Sequence, residues 1–145
     1  MENKHDMGKK LVHVKKFAIR WGDMDAYGHV NNTKYFLYTQ EARFEMLTEN
    51  NIKIDLLGIS PILAETSCKF IRPIVFPETL IIETYLVKLE GKKTFFEHVV
   101  KSEKDADIVY AISSATVIWF DFVTKSAVDT PEWINYSHPN NINVK

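Results

Sequence analysis

From Thr33 to about Thr48 the chain carries a helical pattern that is apolar on nearly every side at its start. Tyr35, Tyr38, Ala42 and Met46 recur at spacings of three and four, the interval that places side chains on one helix face. Phe36, Leu37 and Phe44 widen that face until the first two turns keep almost no polar side. A helix of this kind must be buried on most of its surface. Its charged residues, Glu41, Arg43, Glu45 and Glu49, gather in the second half and are expected to reach solvent. The rest of the chain has to supply the cover.

That cover reads as strands. Leu11 to Arg20 precedes the helix as a first strand, and Ile62 to Ile71 follows it with partial alternation until Pro73 and Pro77 interrupt. Leu80 to Leu89 alternates Ile82, Thr84, Leu86 and Lys88 against Ile81, Glu83, Tyr85 and Val87. Glu90-Gly91-Lys92-Lys93 is a turn with a glycine free to take a positive φ. Thr94 to Ser102 and Ile108 to Phe122 complete the set. Consecutive strands joined by tight turns imply an antiparallel sheet, so the fold class is α+β, one helix against one sheet. Residues 1–10 and 137–145 have little to bury and are expected to be mobile tails around a single domain, 11–136. One sheet on one helix leaves apolar edges and an apolar outer face. Such surfaces are usually covered by another chain. A homodimer is the minimum expectation and a homotetramer is compatible.

Composition agrees with a compact soluble enzyme and does little to select one. The chain has 145 residues, 46% hydrophobic and 26% charged, and a net charge of −1. That balance argues against a nucleic-acid partner, whose binding rests on many phosphate contacts. No stretch approaches the roughly 20 apolar residues of a membrane span. Met1 to Lys10 lacks the apolar core of a secretory signal. The one cysteine, Cys68, has no internal partner and sits in an apolar alternation, which reads as a small buried residue in a reducing compartment. Cytoplasm is the expected location.

The chemistry concentrates between the first strand and the helix, in Arg20-Trp21-Gly22-Asp23-Met24-Asp25-Ala26-Tyr27-Gly28-His29-Val30-Asn31-Asn32. Asparagine is a preferred N-cap, so Asn31 or Asn32 begins the helix, whose first N–H groups are unpaired and attract negative charge. Asp25 and His29 lie just upstream. The spacing from Asp23 to Gly28 imitates the start of a calcium loop, but Tyr27 and Lys34 stand where that loop needs oxygen ligands. Calcium is rejected. Both aspartates also suit a plain turn-closing role through backbone N–H groups, Asp23 more so than Asp25. His29 by itself reads as a hydrogen-bonded structural residue.

The run R-W-G-D-M-D-A-Y-G-H-V-N-N-T-K-Y-F-L-Y-T-Q-E-A-R-F-E, Arg20 to Glu45, resembles the signature of hotdog-fold acyl-CoA thioesterases of the 4-hydroxybenzoyl-CoA thioesterase type. Its specific part is D-x-D-x-x-x-H-V-N-N-x-x-Y, and the likeness extends from about His13 to about Trp133. The resemblance implies a curved antiparallel sheet wrapped around the helix, paired edge to edge across a two-fold axis. It implies that Asp25 is catalytic and that a backbone N–H near Asn32 polarises the thioester carbonyl. His29 is a candidate supporting residue, which either orients Asp25 or a water or only stitches the turn to the backbone. It further implies basic contacts to coenzyme A from the hairpin turn, Lys92 and Lys93 followed by Thr94, with Arg72 and Tyr27 as further substrate contacts. Plant-type acyl-carrier-protein thioesterases carry D-x-N-x-H-V-N-N, and Tyr27 replaces their asparagine here. Glu65, on the strand expected to pass near the site, is a candidate supporting carboxylate.

A thioester carbonyl is electrophilic enough for water or a carboxylate to attack once its oxyanion is stabilised. Asp25 is therefore expected to act as general base or as nucleophile. The chain has no G-x-S-x-G elbow, and its five histidines are scattered, so neither a serine nucleophile, a metal nor an organic cofactor is expected. Two other classes stay open. A hydroxyacyl dehydratase usually has Pro-Gly after its histidine, whereas Val30-Asn31 follows His29. A non-catalytic acyl-thioester-binding module would keep the fold without the chemistry.

Overall fold

The structure is a computed structural model describing residues 8–52 and 57–131. Strand β1 (Lys10–Ala18) leads through a short 3-10 turn (Trp21–Asp23) into helix α1 (Asn32–Glu49). Then come β2 (Ile59–Phe70), β3 (Thr79–Glu90), β4 (Lys93–Ser102), β5 (Val109–Asp121) and a two-residue strand β6 (Ser126–Ala127). All ladders are antiparallel, in the order β1-β3-β4-β5-β2, with β6 on β5. The α+β arrangement expected from the pattern is present. Of the tails and domain limits expected from sequence, 1–7 and 132–145 lie outside the described residues, and Lys10 already belongs to β1.

Strand β2 starts three residues earlier than the alternation suggested, at Ile59 rather than Ile62, and includes Pro61. Proline gives no N–H to a ladder, which an edge strand tolerates on its open side. β2 is such an edge, bonded to β5 alone. The strands β3 and β4 keep the strict alternation that one covered face requires. Leu80, Ile82, Thr84 and Leu86 from β3 and Thr94, Phe96, His98 and Val100 from β4 are buried. Against them α1 lays Tyr38, Ala42 and Met46, each no more than 1% exposed.

The expectation that α1 is covered on most sides holds for one flank. It packs on β1, β3 and β5, while Phe36 and Leu37 are half-buried and Phe44 is 42% exposed. The open flank faces β2, where Ile62, Leu63 and Phe70 are exposed too. Another expectation fails outright: Arg43 does not reach solvent but is 7% exposed. Its position on the helix turns it under the sheet beside His98, which spacing alone did not reveal.

Candidate active site

Two residues after the 3-10 turn, at Asp25, the backbone folds back on itself. Asp25 N–H donates to the His29 carbonyl at 3.0 Å, and Gly28 N–H donates to the Asp25 carbonyl at 2.9 Å. Gly28 sits at φ +81°, a conformation that a side chain would strain. Val30 N–H then bonds the Ile74 carbonyl at 2.8 Å, tying the loop to the segment after β2. The loop is thus fixed at both ends before the helix begins.

The two aspartates have separate jobs. Asp23, 4% exposed, closes the 3-10 turn: its Oδ2 accepts from Tyr38 Oη at 2.6 Å and from Arg20 N–H at 3.2 Å. Burial pushes its carboxyl up, but these hydrogen bonds and the charges of Arg20 and Lys34 hold it below the ordinary value. A carboxylate depressed in the folded state stabilises above its unfolded pKa, and the benefit fades as pH falls through the folded value. Tyr38→Phe is therefore expected to cost about 1.5–3 kcal/mol near neutrality, the range for a hydrogen bond to a charged group. The deficit should narrow on acidification below about pH 4. Urea melts of both proteins from pH 7 to pH 3 measure it, and a deficit that is constant with pH contradicts the assignment.

Asp25 is half-buried and bonds on both oxygens. Oδ1 accepts from Tyr27 N–H at 2.9 Å, the turn-closing contact, and Oδ2 accepts from Asn31 Nδ2 at 2.9 Å. Asn31 is the N-cap, its Oδ1 accepting from Thr33 N–H at 2.9 Å. One asparagine side chain therefore holds the carboxylate with its amide nitrogen and the helix start with its oxygen. Sequence reasoning saw Asn31 only as a possible cap. The N-cap preference was the available signal, and the second bond depends on how the loop returns. Next to it, Asn32 N–H has no hydrogen-bond partner among the described residues.

A recess of about 300 Å³ opens at this helix start, lined by His29, Val30, Asn32, Tyr35 and the segment from Phe70 to Pro73. It brings His29, Asn32 and Arg72 together. The His29 imidazole makes no hydrogen bond among the described residues, so the orienting contact to Asp25 comes from Asn31 instead. Tyr27 is 87% exposed, and its ring lies outside the recess walls. Glu65 pairs in register with Thr116 after a bulge between Leu63 and Glu65, on the sheet face turned away from α1. It does not support the site from there.

The hairpin residues fall elsewhere. Lys92 and Lys93 sit at the β3–β4 turn, separated from the helix start by the twelve residues of β3, about 36 Å at strand rise. Thr94 does not stand with them at the surface. It is fully buried, its Oγ1 accepting from Trp119 Nε1 at 2.9 Å. Burial also pushes the Cys68 thiol up to about 11, away from a nucleophilic thiolate. At the far end of α1, His13 places Nε2 2.7 Å from Glu45 and Nδ1 3.3 Å from Glu49, while Lys15 reaches Glu45 at 3.2 Å. These bonds stitch β1 to the helix, away from Asp25.

One long helix laid on a single antiparallel sheet is the hotdog arrangement, and solved thioesterase structures share it with this chain. The chain belongs to the thioesterase-like superfamily, whose model matches residues 19–137. It is 28% identical over 116 residues to the long-chain acyl-CoA thioesterase FadM of Escherichia coli, covering 78% of this chain and 86% of FadM. It is 25% identical over 118 residues to the chloroplastic acyl-acyl carrier protein thioesterase ATL3 of Arabidopsis thaliana, covering 79% of this chain and 61% of ATL3. Among solved structures, the PA2801 protein of Pseudomonas aeruginosa superposes with a TM-score of 0.84 at 29% identity, covering 88% of this chain and 98% of that one. Among the described residues no helix is long and apolar enough to cross a membrane.

Proposed function

We propose that this protein hydrolyses acyl-CoA thioesters to a carboxylic acid and coenzyme A. Asp25 serves as general base toward water, or as nucleophile, and Asn32 N–H receives the developing oxyanion. The observation that carries this reading is the Asn31 bridge, which holds a carboxylate next to an unpaired N–H at a helix start. Donors fixed in advance at such a point stabilise a tetrahedral oxyanion without reorganising. The likeness to FadM supports coenzyme A as the thiol. His29 and Arg72, on the recess wall, would offer polar contacts to the thioester and the pantetheine arm.

The test is thiol release. Purified protein is mixed with an acyl-CoA, a β-hydroxyacyl-CoA and the same acyl group on acyl carrier protein, with a thiol-reactive dye. Release from coenzyme A supports the proposal, release from the carrier protein alone makes that the substrate, and loss of hydroxyl without thiol makes the enzyme a dehydratase. No reaction of any kind makes it a binding module.

Lys92 and Lys93 enter this reading through a second copy. The long unpaired edge of β2, with exposed Ile62, Leu63 and Phe70, suits antiparallel pairing with another β2. A two-fold axis there turns the hairpin end of one protomer toward the recess end of the other. Replacing both lysines by alanine is then expected to raise KM for acyl-CoA about three- to tenfold with little change in kcat. Phosphate contacts far from the scissile bond stabilise ground and transition states alike. The effect should shrink as salt screens the charges. Steady-state kinetics at low and high salt check it, and an unchanged KM at low salt makes both ordinary turn residues.

A further inference from the structure

The fold buries a cation beside an unfilled space. Arg43 is 7% exposed, and its one hydrogen bond among the described residues joins Nη1 to His98 Nε2 at 3.0 Å. His98 is itself fully buried, with Nδ1 2.9 Å from Thr84 Oγ1. Burial, and then the charge of Arg43, lower the pKa of His98 to about 3, so its imidazole is neutral. A neutral ring that accepts at Nε2 donates at Nδ1 to the threonine and supplies no negative charge. Burial is also the cause that lowers Arg43, to about 10, and among the described residues no carboxylate opposes it. An uncompensated buried guanidinium is strongly disfavoured unless something brings the missing anion.

The space for that anion adjoins it. A cavity of about 100 Å³ is lined by Arg43, Gln40, Phe44, Leu63, Phe96 and Trp119, well above the roughly 10–15 Å³ that admits one water-sized group. Residues of β2 and α1 lie between it and the recess at the helix start. On β2 the bulge after Leu63 puts Leu63, Thr66, Cys68 and Phe70 on the helix side, opposite Val117, Ala115, Ser113 and Ala111. Phe70 is at the recess, against Tyr35 and Phe36, and Leu63 is at the cavity. On α1 the matching stripe runs Phe36, Gln40, Phe44, Leu47 at helical spacing. From Asn32 to Arg43 is eleven residues, at most about 16 Å along the axis, and the arginine leans back toward the helix start. An extended chain gains roughly 1.2 Å per bond, so about ten to thirteen bonds cover the distance.

We propose that Arg43, with Gln40, reads a carboxylate at the far end of the acyl group, which makes the preferred substrates thioesters of long dicarboxylic acids. The inference rests on the acyl-CoA hydrolase reading and deepens it. The carboxylate would accept hydrogen bonds from the guanidinium nitrogens not used by His98, a charge-assisted pairing that Arg geometry favours. Gln40 would add one donor. The apolar walls between recess and cavity would take the methylenes.

The experiment compares coenzyme A monothioesters of α,ω-dicarboxylic acids, roughly ten to fourteen carbons long, with the plain acyl-CoA of equal length. For wild-type enzyme the expected ratio of kcat/KM, diacid over plain, is about tenfold or more at the best length. In Arg43→Met, close in volume and uncharged, the ratio is expected to fall to one or below. Arg43→Lys should restore part of it. The wild-type comparison needs no variant, so it stands even if Arg43→Met fails to fold. A wild-type ratio at or below one at every length, or a ratio that survives Arg43→Met, overturns the proposal. Thiol released from plain acyl-CoA with no diacid preference overturns this inference alone, whereas no thiol from any substrate overturns the hydrolase reading beneath it.

Discussion

Asp25→Asn is expected to fold like the wild type and to lose at least about a hundredfold in kcat, the range for removing a positioned base. The change is nearly isosteric. Asparagine keeps one oxygen, which can accept from Tyr27 N–H or from Asn31 Nδ2 but not from both, so one of these contacts is lost while the backbone bonds of Asp25 N–H and Gly28 N–H still hold the loop. What disappears is the negative charge that abstracts a proton from water or attacks the carbonyl. Thiol-release kinetics and a melting curve on the same preparation decide it. A variant that keeps more than about a tenth of the wild-type rate removes Asp25 from the chemistry, because that loss falls short of base removal.

The second large effect belongs to Asn31. Asn31→Ala removes the helix cap, at about 1 kcal/mol, and frees Asp25 Oδ2 from its side-chain donor. An unrestrained carboxylate samples orientations away from the Asn32 N–H, and misplacement of about 1 Å can cost a hundredfold. We expect kcat to fall roughly ten- to a hundredfold, with a lower melting temperature. Asn31→Ser separates the two roles. Serine caps helices well but offers no amide nitrogen to Asp25, so stability should return while kcat stays low. If Asn31→Ser recovers full turnover, the Asn31–Asp25 bond is a bystander and the cap alone matters.

The elements that were legible in sequence are those whose causes are local. Periodicities of two and three to four report which residues share a face, so β3, β4, β5 and α1 were readable to within a few residues. The turn from Asp25 to Gly28 and the cap at Asn31 follow from short-range hydrogen bonding of Asp and Asn, and both are present. Charge was the weaker guide. Arg43 was expected in solvent because charged residues usually are, and Thr94 was expected beside its lysine neighbours at the surface. In the strand a side chain's face is set by alternation, so Thr94 points inward to Trp119 while Lys93 next to it points out.

The sequence by itself determined that there would be one apolar helix, an antiparallel set of strands and a carboxylate just ahead of a helix start. These depend on residues within a few positions of each other. Tertiary structure alone decided what each site residue meets. Sheet order sends β2 to the far edge and leaves a groove along α1. It carries Phe70 and Arg72 to the helix start, and sets Lys92 and Lys93 a strand's length away. It seats Arg43 against His98, fifty-five positions distant in the chain. Contacts between residues so far apart are fixed by which strands become neighbours and in what register, and no local preference encodes that choice.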